Sequence, residues 1–426
     1  MYDNSRPKAP FHMNFIENDT KSEESYTQRL YTKFYGFYYR NIIWRFMDRL
    51  AHPICSVAGE TISIMERHFS KFNRSFKLTG RVYNAINFGS YNYLGYAQTT
   101  GHITDSVDNT IKQLGVGVCS TATELGRQQI YCDLETLVAK YLDTEDAIVY
   151  GMGFATNAYT MSALFGKGCL VLSDEHNHSS IALGCKTSGA HIQVFKHNDM
   201  THLERIVRHS IVSGQPRTGR AWRKIVVIME GIYSMEGTIV NLPEVLRIKK
   251  QYKLYLYLDE AHSIGAIGAR GRGVCDYYGC DPRDVDILMG TFTKSFAAAG
   301  GYLAGNAHTI AYLRCQTAAF HYACPMAPPV AQQIISVLTE LYYNQNDSHT
   351  RLKSLHENTV YFRQKLKQLG YHLDGNDDSP VVPLMVLSNT STGVRNSDNR
   401  SCLSGHFTTG CKNKTVCQCL TYQSYD

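Results

Sequence analysis

The sequence predicts an α/β fold with a mainly parallel central sheet and flanking helices. Two observations predict it. Short apolar runs recur from about residue 85 to residue 305, and they are separated by stretches long enough for helices. The composition, 43% hydrophobic and 19% charged over 426 residues, is that of a globular chain with a sizeable core rather than a disordered one.

Seven apolar runs are the candidate strands of this sheet. In chain order they are AIVY, CLVLS, IQVF, KIVVIME, LYLYLDE, DILMG and GYLAG. Residues 328–370 carry helical patterns, and SPVVPLMVL is a further candidate strand. We therefore predict a large domain over residues 85–325 and the start of a small C-terminal domain over 326–387. These lie between an N-terminal segment, 1–84, and a divergent polar tail, 388–426.

The ends of the chain differ in character from this central region. Residues 1–25 are polar and are predicted to be disordered, whereas residues 34–50 form an aromatic, basic segment typical of an amphipathic helix. Such a helix either packs against protein or lies on a membrane surface. No run of 18 apolar residues occurs, so we expect no transmembrane helix.

Charge and cysteine content argue against several classes of protein. The formal net charge of +6 is too small for this length to favour nucleic-acid binding. The 13 cysteines are scattered and odd in number, and the polar first residues contain no signal-peptide core, which favours a reducing compartment. The cysteines of the polar tail do not have the spacing of a structural zinc site, so no metal centre is expected.

Clusters of polar residues follow four of the candidate strands. Asp174–His178 follow LVLS, Glu230–Ser234 follow IVVIM, Asp259–His262 follow YLYL, and Thr291–Lys294 follow DILMG. The carboxyl ends of parallel strands meet at one edge of a sheet, and the ligands of such sheets bind there. We therefore expect these four clusters to form one site.

Lys294 has the most specific chemistry of these residues. A lysine at a strand end is either a solvated charge or, when partly desolvated, an amine that forms a Schiff base with an aldehyde cofactor. Pyridoxal phosphate is such a cofactor. It also needs an acid at its pyridine nitrogen, a flat group against its ring and a cup for its phosphate.

Candidates for the acid and the flat group occur in two of the clusters. Asp259 is the candidate acid, although a strand-end carboxylate can also cap the next helix. His262 can hydrogen-bond the phenolic oxygen of the cofactor. Either His176 or His178 can stack on the ring, and their chemistry alone does not separate them.

The candidate phosphate cup is the glycine-rich turn GMGFATN, residues 151–157. It leads into a helix, and the free backbone N–H groups of a helix N-terminus hold phosphates. Thr291 and Thr293 can add hydroxyl donors. One glycine-rich turn is weak evidence by itself, and the complete set of candidates is what favours the cofactor.

The tetrapeptide DEAH at 259–262 also suggests a helicase-type ATPase. That class of enzyme needs a phosphate loop of the form GxxxxGK[ST]. The nearest segment is MSALFGKG, in which Met161 stands at the first glycine and Gly168 at the final serine or threonine. The sequence therefore argues against an ATPase.

Taken together, the motifs resemble those of a known family. They are GSYNYLGYA, GVGVCSTATELG, YGMGFATN, SDEHNHSS, KHNDM, GQPRTGRAWRKIVVIMEGIYSMEG, YLDEAHSIGAIGARGRGV and MGTFTKSF. In combination they are similar to the α-oxoamine synthases, above all to the lysine-bearing catalytic subunits of eukaryotic serine palmitoyltransferases. The resemblance runs from about Tyr35 to about Leu387. It implies the fold type I architecture of pyridoxal-phosphate enzymes.

The resemblance also implies an activity and its partners. Enzymes of this kind condense L-serine with palmitoyl-CoA and release CO2 and CoA, which gives 3-ketosphinganine for sphingolipid biosynthesis. A lysine-less partner subunit is implied, in a heterodimer or a homo-oligomer. The implied location is the cytosolic face of the endoplasmic reticulum membrane.

The resemblance assigns a role to each matching residue. Lys294 would carry the cofactor, Asp259 would face its pyridine nitrogen, and His178 would stack on its ring and help to orient serine. His262 and Ser234 would contact the phenolic oxygen of the cofactor. Its phosphate would be bordered by Gly153, Phe154 and Thr291. Asn92 would lie near the carboxylate of the amino acid.

Four residues depart from the motifs of this family, namely Ala122, Arg127, Tyr131 and Ala299. The polar tail also stands where the family has a C-terminal domain with an arginine for the substrate carboxylate. Two alternatives therefore stay open. They stand beside the serine palmitoyltransferase activity that the resemblance implies. One is a subunit that keeps the dimer surface without turnover, and the other is an enzyme that condenses another amino acid with an acyl-CoA.

Overall fold

The computed structural model describes residues 52–69, 76–344 and 347–385. These residues form two compact units that divide between Asn87 and Phe88. The predicted disordered lead, amphipathic helix and polar tail lie outside the described residues, so these expectations stay predictions. The predicted domain boundaries at residues 84, 325 and 387 also stay predictions.

The first unit is a two-stranded antiparallel hairpin. Strand β1, Thr61–Phe69, pairs with β2, Phe76–Ile86, and a β-bulge lies between Met65 and Arg67. Ile62 of β1 is buried and so is the residue two positions further on, the alternation of a strand with one covered face. This hairpin has no clear signal in the sequence, because neither strand is a continuous apolar run.

The second unit is built around a seven-stranded sheet. Its strands are β3, Asp146–Tyr150; β4, Leu170–Asp174; β5, His191–Phe195; β6, Ile225–Glu230; β7, Tyr255–Asp259; β8, Ile287–Thr291; and β9, Gly301–Gly305. Their spatial order is β3-β9-β8-β7-β6-β4-β5, and all neighbours are parallel except β9, which is antiparallel to β3 and β8. All seven predicted runs are strands, and the predicted mainly parallel α/β fold is confirmed.

The described residues contain eleven α-helices, five of which fill connections between consecutive strands of this sheet. They are α1, His102–Leu114; α2, Gln129–Leu142; α3, Gly153–Leu164; α4, Ser179–Ser188; α5, Met200–Ser213; α6, Leu242–Tyr252; α7, Val274–Tyr278; α8, Ala307–Gln316; α9, Ala318–His321; α10, Pro328–Tyr343; and α11, Ser348–Gln368. The last two are the helices predicted over residues 328–370. In the described part of the chain, no helix is both long and apolar enough to cross a membrane.

The large sheet is buried on both faces. Every residue of β4 and of β8 is buried. Successive residues of a strand point to opposite faces, and two hydrophobic clusters follow this alternation: Val227 and Met229 belong to one, Val226 and Ile228 to the other. A strand covered on both faces needs apolar residues at every position, which is why these strands are continuous apolar runs.

The last described segment packs back onto α11. Strand β11, Leu384–Met385, pairs with β10, His372–Leu373, so within the described residues only the end of SPVVPLMVL is a strand. Arg363 of α11 is buried, and its guanidinium donates hydrogen bonds to the carbonyls of Asp374 and Val381 at 3.0 and 2.7 Å. This side chain fixes the segment that leads into β11.

Candidate active site

The carboxyl ends of four parallel strands lie side by side at one edge of the large sheet. Strands β8, β7, β6 and β4 are consecutive neighbours, and they end at Thr291, Asp259, Glu230 and Asp174. Glu230 and Asp259 are paired in the register of β6 and β7. The sheet therefore brings together the four polar clusters that the sequence predicts at this edge.

Asp259 is a buried carboxylate with one donor on each oxygen. Its side chain accepts from the backbone N–H of Ala261 at 2.9 Å and from the amide Nδ2 of Asn157 at 2.8 Å, and the residue is 3% exposed. Desolvation raises its pKa, which the two hydrogen bonds and nearby Lys294 partly offset. Asp259 does not cap a helix, because a turn follows it and α7 begins only at Val274.

Glu230 is a second buried carboxylate beside Asp259. It is 4% exposed and accepts a hydrogen bond from the backbone N–H of His178. Burial raises its pKa well above the ordinary value, and the negative charge of Asp259 raises it further. Within the described residues neither acid forms an ion pair with a lysine or arginine, so the pair favours a ligand that brings positive charge.

His178 is the N-cap residue of α4 and is exposed. Its Nδ1 lies 2.7 Å from Ser180 Oγ and accepts the Ser180 backbone N–H at 3.2 Å. Phe154 meets the ring edge-on, with 6.1 Å between ring centroids. Desolvation lowers the pKa of His178, Lys294 lowers it further, and Asp259 opposes both. The site therefore holds a neutral imidazole with an accessible face.

His176 belongs to a different network. Its ring stacks on that of His197 with 4.4 Å between centroids, and its Nδ1 lies 3.1 Å from a carboxylate oxygen of Glu236. His197 in turn contacts Asp174 at 2.9 Å and Thr238 at 2.7 Å. The structure thus distinguishes the two histidines, because within the described residues His178 and not His176 joins the hydrogen-bond network of Asp259.

His262 is a buried histidine that interacts electrostatically with Lys294. Its Nδ1 lies 2.8 Å from the hydroxyl of Tyr93, and the edge of Tyr91 meets its ring at 5.3 Å. Burial lowers its pKa well below the ordinary value, and Lys294 lowers it further, so this imidazole is neutral. The half-buried Lys294 places its Nζ 5.8 Å from the centroid of Tyr91.

Asn92 and Ser234 are the two other predicted site residues. Asn92 is buried between Tyr91 and Tyr93, and its side-chain oxygen accepts from the backbone N–H of Ala97 at 3.3 Å. Ser234 lies in the turn that follows β6 and is half-buried. In the described residues no hydrogen bond joins it to the histidine that would share the phenolic oxygen.

The predicted phosphate cup is the N-terminus of α3 packed against the end of β8. Gly153 is the first residue of α3, and a Cβ built on it would lie 2.5 Å from Thr291 Oγ1 and 3.2 Å from the carbonyl oxygen of Gly300. Thr291 Oγ1 bonds the Gly300 carbonyl and the Thr293 hydroxyl, each at 2.9 Å. No side chain caps this helix, and Phe154 beside it is 41% exposed. Its first N–H groups are available to an anion.

Three of the residues that depart from the family motifs lie in identifiable surroundings. Ala122 and Arg127 help to line a cavity of about 470 Å³, together with Glu135 and Arg314. Arg127 pairs with Glu135 at 2.7 Å, and Arg314 pairs with the same carboxylate at 3.1 Å. Tyr131 is buried and donates its hydroxyl to a backbone carbonyl at 2.6 Å. Tyr131 therefore works as a core residue.

The residues at this edge fit pyridoxal phosphate on three counts. First, the half-buried amine of Lys294 is near the exposed imidazole of His178. Second, the buried acids Asp259 and Glu230 form no ion pair with a lysine or arginine of the described chain. Third, the N-terminus of α3 is uncapped at Gly153, where only glycine fits. Among the described residues, no group of histidine, cysteine or acidic side chains could hold a metal ion.

Sequence reasoning missed Asn157 and Ser180, and it named Glu230 without a role. Asn157 lies one helical turn after Gly153 in the quoted motif, and Ser180 lies two residues after His178. These offsets place both side chains toward the site. Only the three-dimensional contacts show what they bond.

Comparison with known proteins agrees with the geometry. The family model "Aminotransferase class I and II" matches residues 83–418, beyond Leu387, where the motif resemblance was expected to stop. Serine palmitoyltransferase 3 of Homo sapiens is 48% identical over 360 residues, 84% of this chain and 65% of that protein. Serine palmitoyltransferase 2 of Caenorhabditis elegans is 48% identical, over 85% of this chain and 66% of that protein.

A third relative is covered more fully. Serine palmitoyltransferase 2 of Dictyostelium discoideum is 47% identical over 382 residues, 89% of this chain and 77% of that protein. The chain thus spans just under two thirds of the human and nematode relatives and about three quarters of this one.

Solved structures are similar over most of the chain. A serine palmitoyltransferase of Sphingomonas wittichii is 27% identical, with a TM-score of 0.66 and coverage of 74% of each chain. An SPT variant with PLP is 25% identical, with a TM-score of 0.69 and coverage of 83% of each chain. The chain therefore belongs to the aminotransferase class I and II family and, within it, groups with the serine palmitoyltransferase subunits, as its motifs predict.

Proposed function

We propose that this chain is the lysine-bearing, catalytic-type subunit of a serine palmitoyltransferase. The proposed reaction is the pyridoxal-phosphate-dependent, decarboxylative condensation of L-serine with palmitoyl-CoA to 3-ketosphinganine. One observation carries the proposal. Lys294, the buried Asp259 and the exposed face of His178 converge at one sheet edge, in a chain 47–48% identical to named serine palmitoyltransferase subunits.

The cofactor, when bound, supplies a ring that withdraws electrons from the amino-acid α-carbon. The residues of this chain hold and tune it. Asp259 keeps a negative charge available to a protonated ring nitrogen, and Glu230 beside it stays neutral because its pKa is raised. The exposed face of His178 would cover the ring of the bound cofactor and exclude water from it.

Proton transfer is the role of Lys294. With the cofactor and serine bound, the Lys294 amine would accept the α-proton of serine and would return a proton after CO2 leaves. Two neutral imidazoles, His178 and His262, lie near it, and both have lowered pKa values. Because both rings are neutral, neither adds a positive charge that would oppose protonation of the lysine amine when it accepts the α-proton.

Binding of the substrates and the cofactor phosphate divides among the other residues. The N-terminus of α3 at Gly153 and Phe154, with the Thr291 hydroxyl, would bind the phosphate. His262 and Ser234 would bond the phenolic oxygen. Asn92 would lie near the serine carboxylate, on the segment that also carries Tyr91.

The assembly we propose follows from the same relatives. A lysine-less partner subunit would complete a heterodimer, with a homo-oligomer as the other arrangement. The complex would lie at the cytosolic face of the endoplasmic reticulum membrane. Nucleic acid is not among the proposed partners.

An absorbance spectrum of the purified chain, alone and with its partner subunit, tests this function. We expect a visible band from lysine-bound pyridoxal phosphate that changes when L-serine is added and that Lys294→Ala abolishes. A band that needs Lys294 but ignores L-serine would favour a different amino-acid substrate. Absence of any Lys294-dependent band in both preparations would refute the proposal and favour a non-catalytic subunit.

A further inference from the structure

Two polar side chains connect the buried acid Asp259 to the exposed imidazole of His178. Asn157 Nδ2 lies 2.8 Å from Asp259 Oδ2 and 3.0 Å from Ser180 Oγ. Ser180 Oγ lies 2.7 Å from His178 Nδ1, and the Tyr257 hydroxyl lies 2.7 Å from Asn157 Oδ1. All of these residues except His178 are buried.

The direction of each hydrogen bond follows from the groups that can only donate or only accept. The backbone N–H of Ser180 can only donate, and it points at His178 Nδ1, so that nitrogen carries a lone pair. An ionised Asp259 can only accept, so Asn157 turns its NH2 group toward it and its oxygen toward Tyr257. The same NH2 group donates to Ser180 Oγ, which leaves the Ser180 hydroxyl hydrogen for His178.

The geometry points to Ser180 and Asn157 as positioning residues that fix the tautomer of His178. With two donors directed at Nδ1, the neutral ring carries its proton on Nε2, on the side of the ring away from Ser180. His178 therefore presents a hydrogen-bond donor, rather than a basic lone pair, to a ligand. The inference rests on the proposed function, in which it leaves the proton transfer to Lys294.

Burial of His178 and the charge of Lys294 act in the same direction as the relay, because both disfavour a charged imidazole. Lys294 and His262 are the cationic or titratable groups on neighbouring loops, and Lys294 disfavours a charged His178. Asp259 opposes this effect, while Glu230 accepts the His178 backbone N–H. Protonation of Nδ1 would also place an N–H against the two Ser180 donors, so the relay disfavours the imidazolium ion.

Histidine side-chain NMR tests the inference without any enzymatic activity. The full chain is labelled with 15N-histidine, and His178 is assigned by comparison with His178→Gln. We expect long-range 1H–15N spectra to show a protonated Nε2 and an unprotonated Nδ1. In Ser180→Ala the ratio of the two tautomers should fall roughly fivefold, the effect of losing one neutral hydrogen bond, and the ring should titrate at higher pH.

Matched variants separate the relay from a general disturbance. Ser179→Ala removes a neighbouring exposed hydroxyl that has no part in the relay, and it should leave the His178 spectrum unchanged. Ser180→Thr keeps the hydroxyl and should restore the wild-type tautomer. A protonated Nδ1 in the wild-type chain would overturn the inference, and so would a Ser180→Ala spectrum that matches Ser179→Ala.

The complex with the partner subunit offers a second readout. In Ser180→Ala the acid limb of the kcat/KM profile for L-serine should move to higher pH, because His178 then protonates more readily. An unchanged acid limb in an active complex would count against the relay. If the complex condenses nothing, the proposed function fails, and the tautomer is still decided by NMR.

Discussion

Replacement of Gly153 with alanine tests whether the N-terminus of α3 is fitted to the end of β8. The new Cβ would lie 2.5 Å from Thr291 Oγ1, closer than Cβ atoms approach in folded proteins, and 3.2 Å from the Gly300 carbonyl oxygen, a tight contact. Overpacking of this kind costs about 1–3 kcal/mol. The gain in helix propensity from glycine to alanine offsets at most about 1 kcal/mol of that cost.

The assay is urea unfolding of the chain with and without pyridoxal phosphate. We expect Gly153→Ala to lower the free energy of unfolding by up to about 2 kcal/mol, the overpacking cost less the propensity gain. The shift should be larger with the cofactor present, because Thr291 must move away from the phosphate cup. Gly117→Ala is the matched control, since no atom lies within 4 Å of its added Cβ.

The same substitution in a Thr291→Ala variant tests which contact causes the loss of stability. Thr291→Ala removes the atom nearest to the new methyl group, so the cost of Gly153→Ala should be smaller in that background. If Gly153→Ala costs no more than Gly117→Ala, or costs the same in both backgrounds, then α3 does not approach β8 as closely as described.

Three further predictions concern buried polar groups. Burial raises the pKa of Glu260 from 4.5 to about 7, so the folded chain should lose stability as pH rises through that window. Glu260→Gln should remove about 3 kcal/mol of this pH-dependent loss in the free energy of unfolding, checked by urea midpoints at about pH 5 and pH 8. Arg363→Met should cost about 2–3 kcal/mol in the same assay by leaving carbonyls of residues 374–381 without a donor, and Arg363→Lys should recover only part. Tyr93→Phe should cost about 1 kcal/mol by leaving His262 without its partner, and an unchanged thermal midpoint would contradict this.

The strands were predictable because a sheet covered on both faces leaves a strong signal in the sequence. Each strand of the large sheet is a short apolar run, and six of the seven run parallel. The antiparallel direction of β9 is not visible in GYLAG itself. It follows from the connection, since residues 292–300 are too few to form the helical crossover that a parallel strand needs.

The site was only partly predictable, for a different reason. Lys294, Asp259 and His178 could be proposed because each follows a strand and has chemistry that few other residues share. Asn157 could not, because amides are common in helices and its role depends on a contact with an acid about a hundred residues away. The same holds for Ser180, whose importance follows from which nitrogen of His178 it faces.

The buried acids connect the stability of this chain to its proposed chemistry. Asp259 and Glu230 lie side by side in the sheet register, both buried, and neither forms an ion pair with a lysine or arginine of the described chain. Two such carboxylates cannot both ionise at low cost, so the fold holds one charge and one neutral acid. A ligand that brings a protonated ring nitrogen to Asp259 would relieve that cost, and its binding energy would then appear as added stability. A sheet edge optimised for stability alone would carry apolar side chains at these positions, so the two acids are best explained by what binds there.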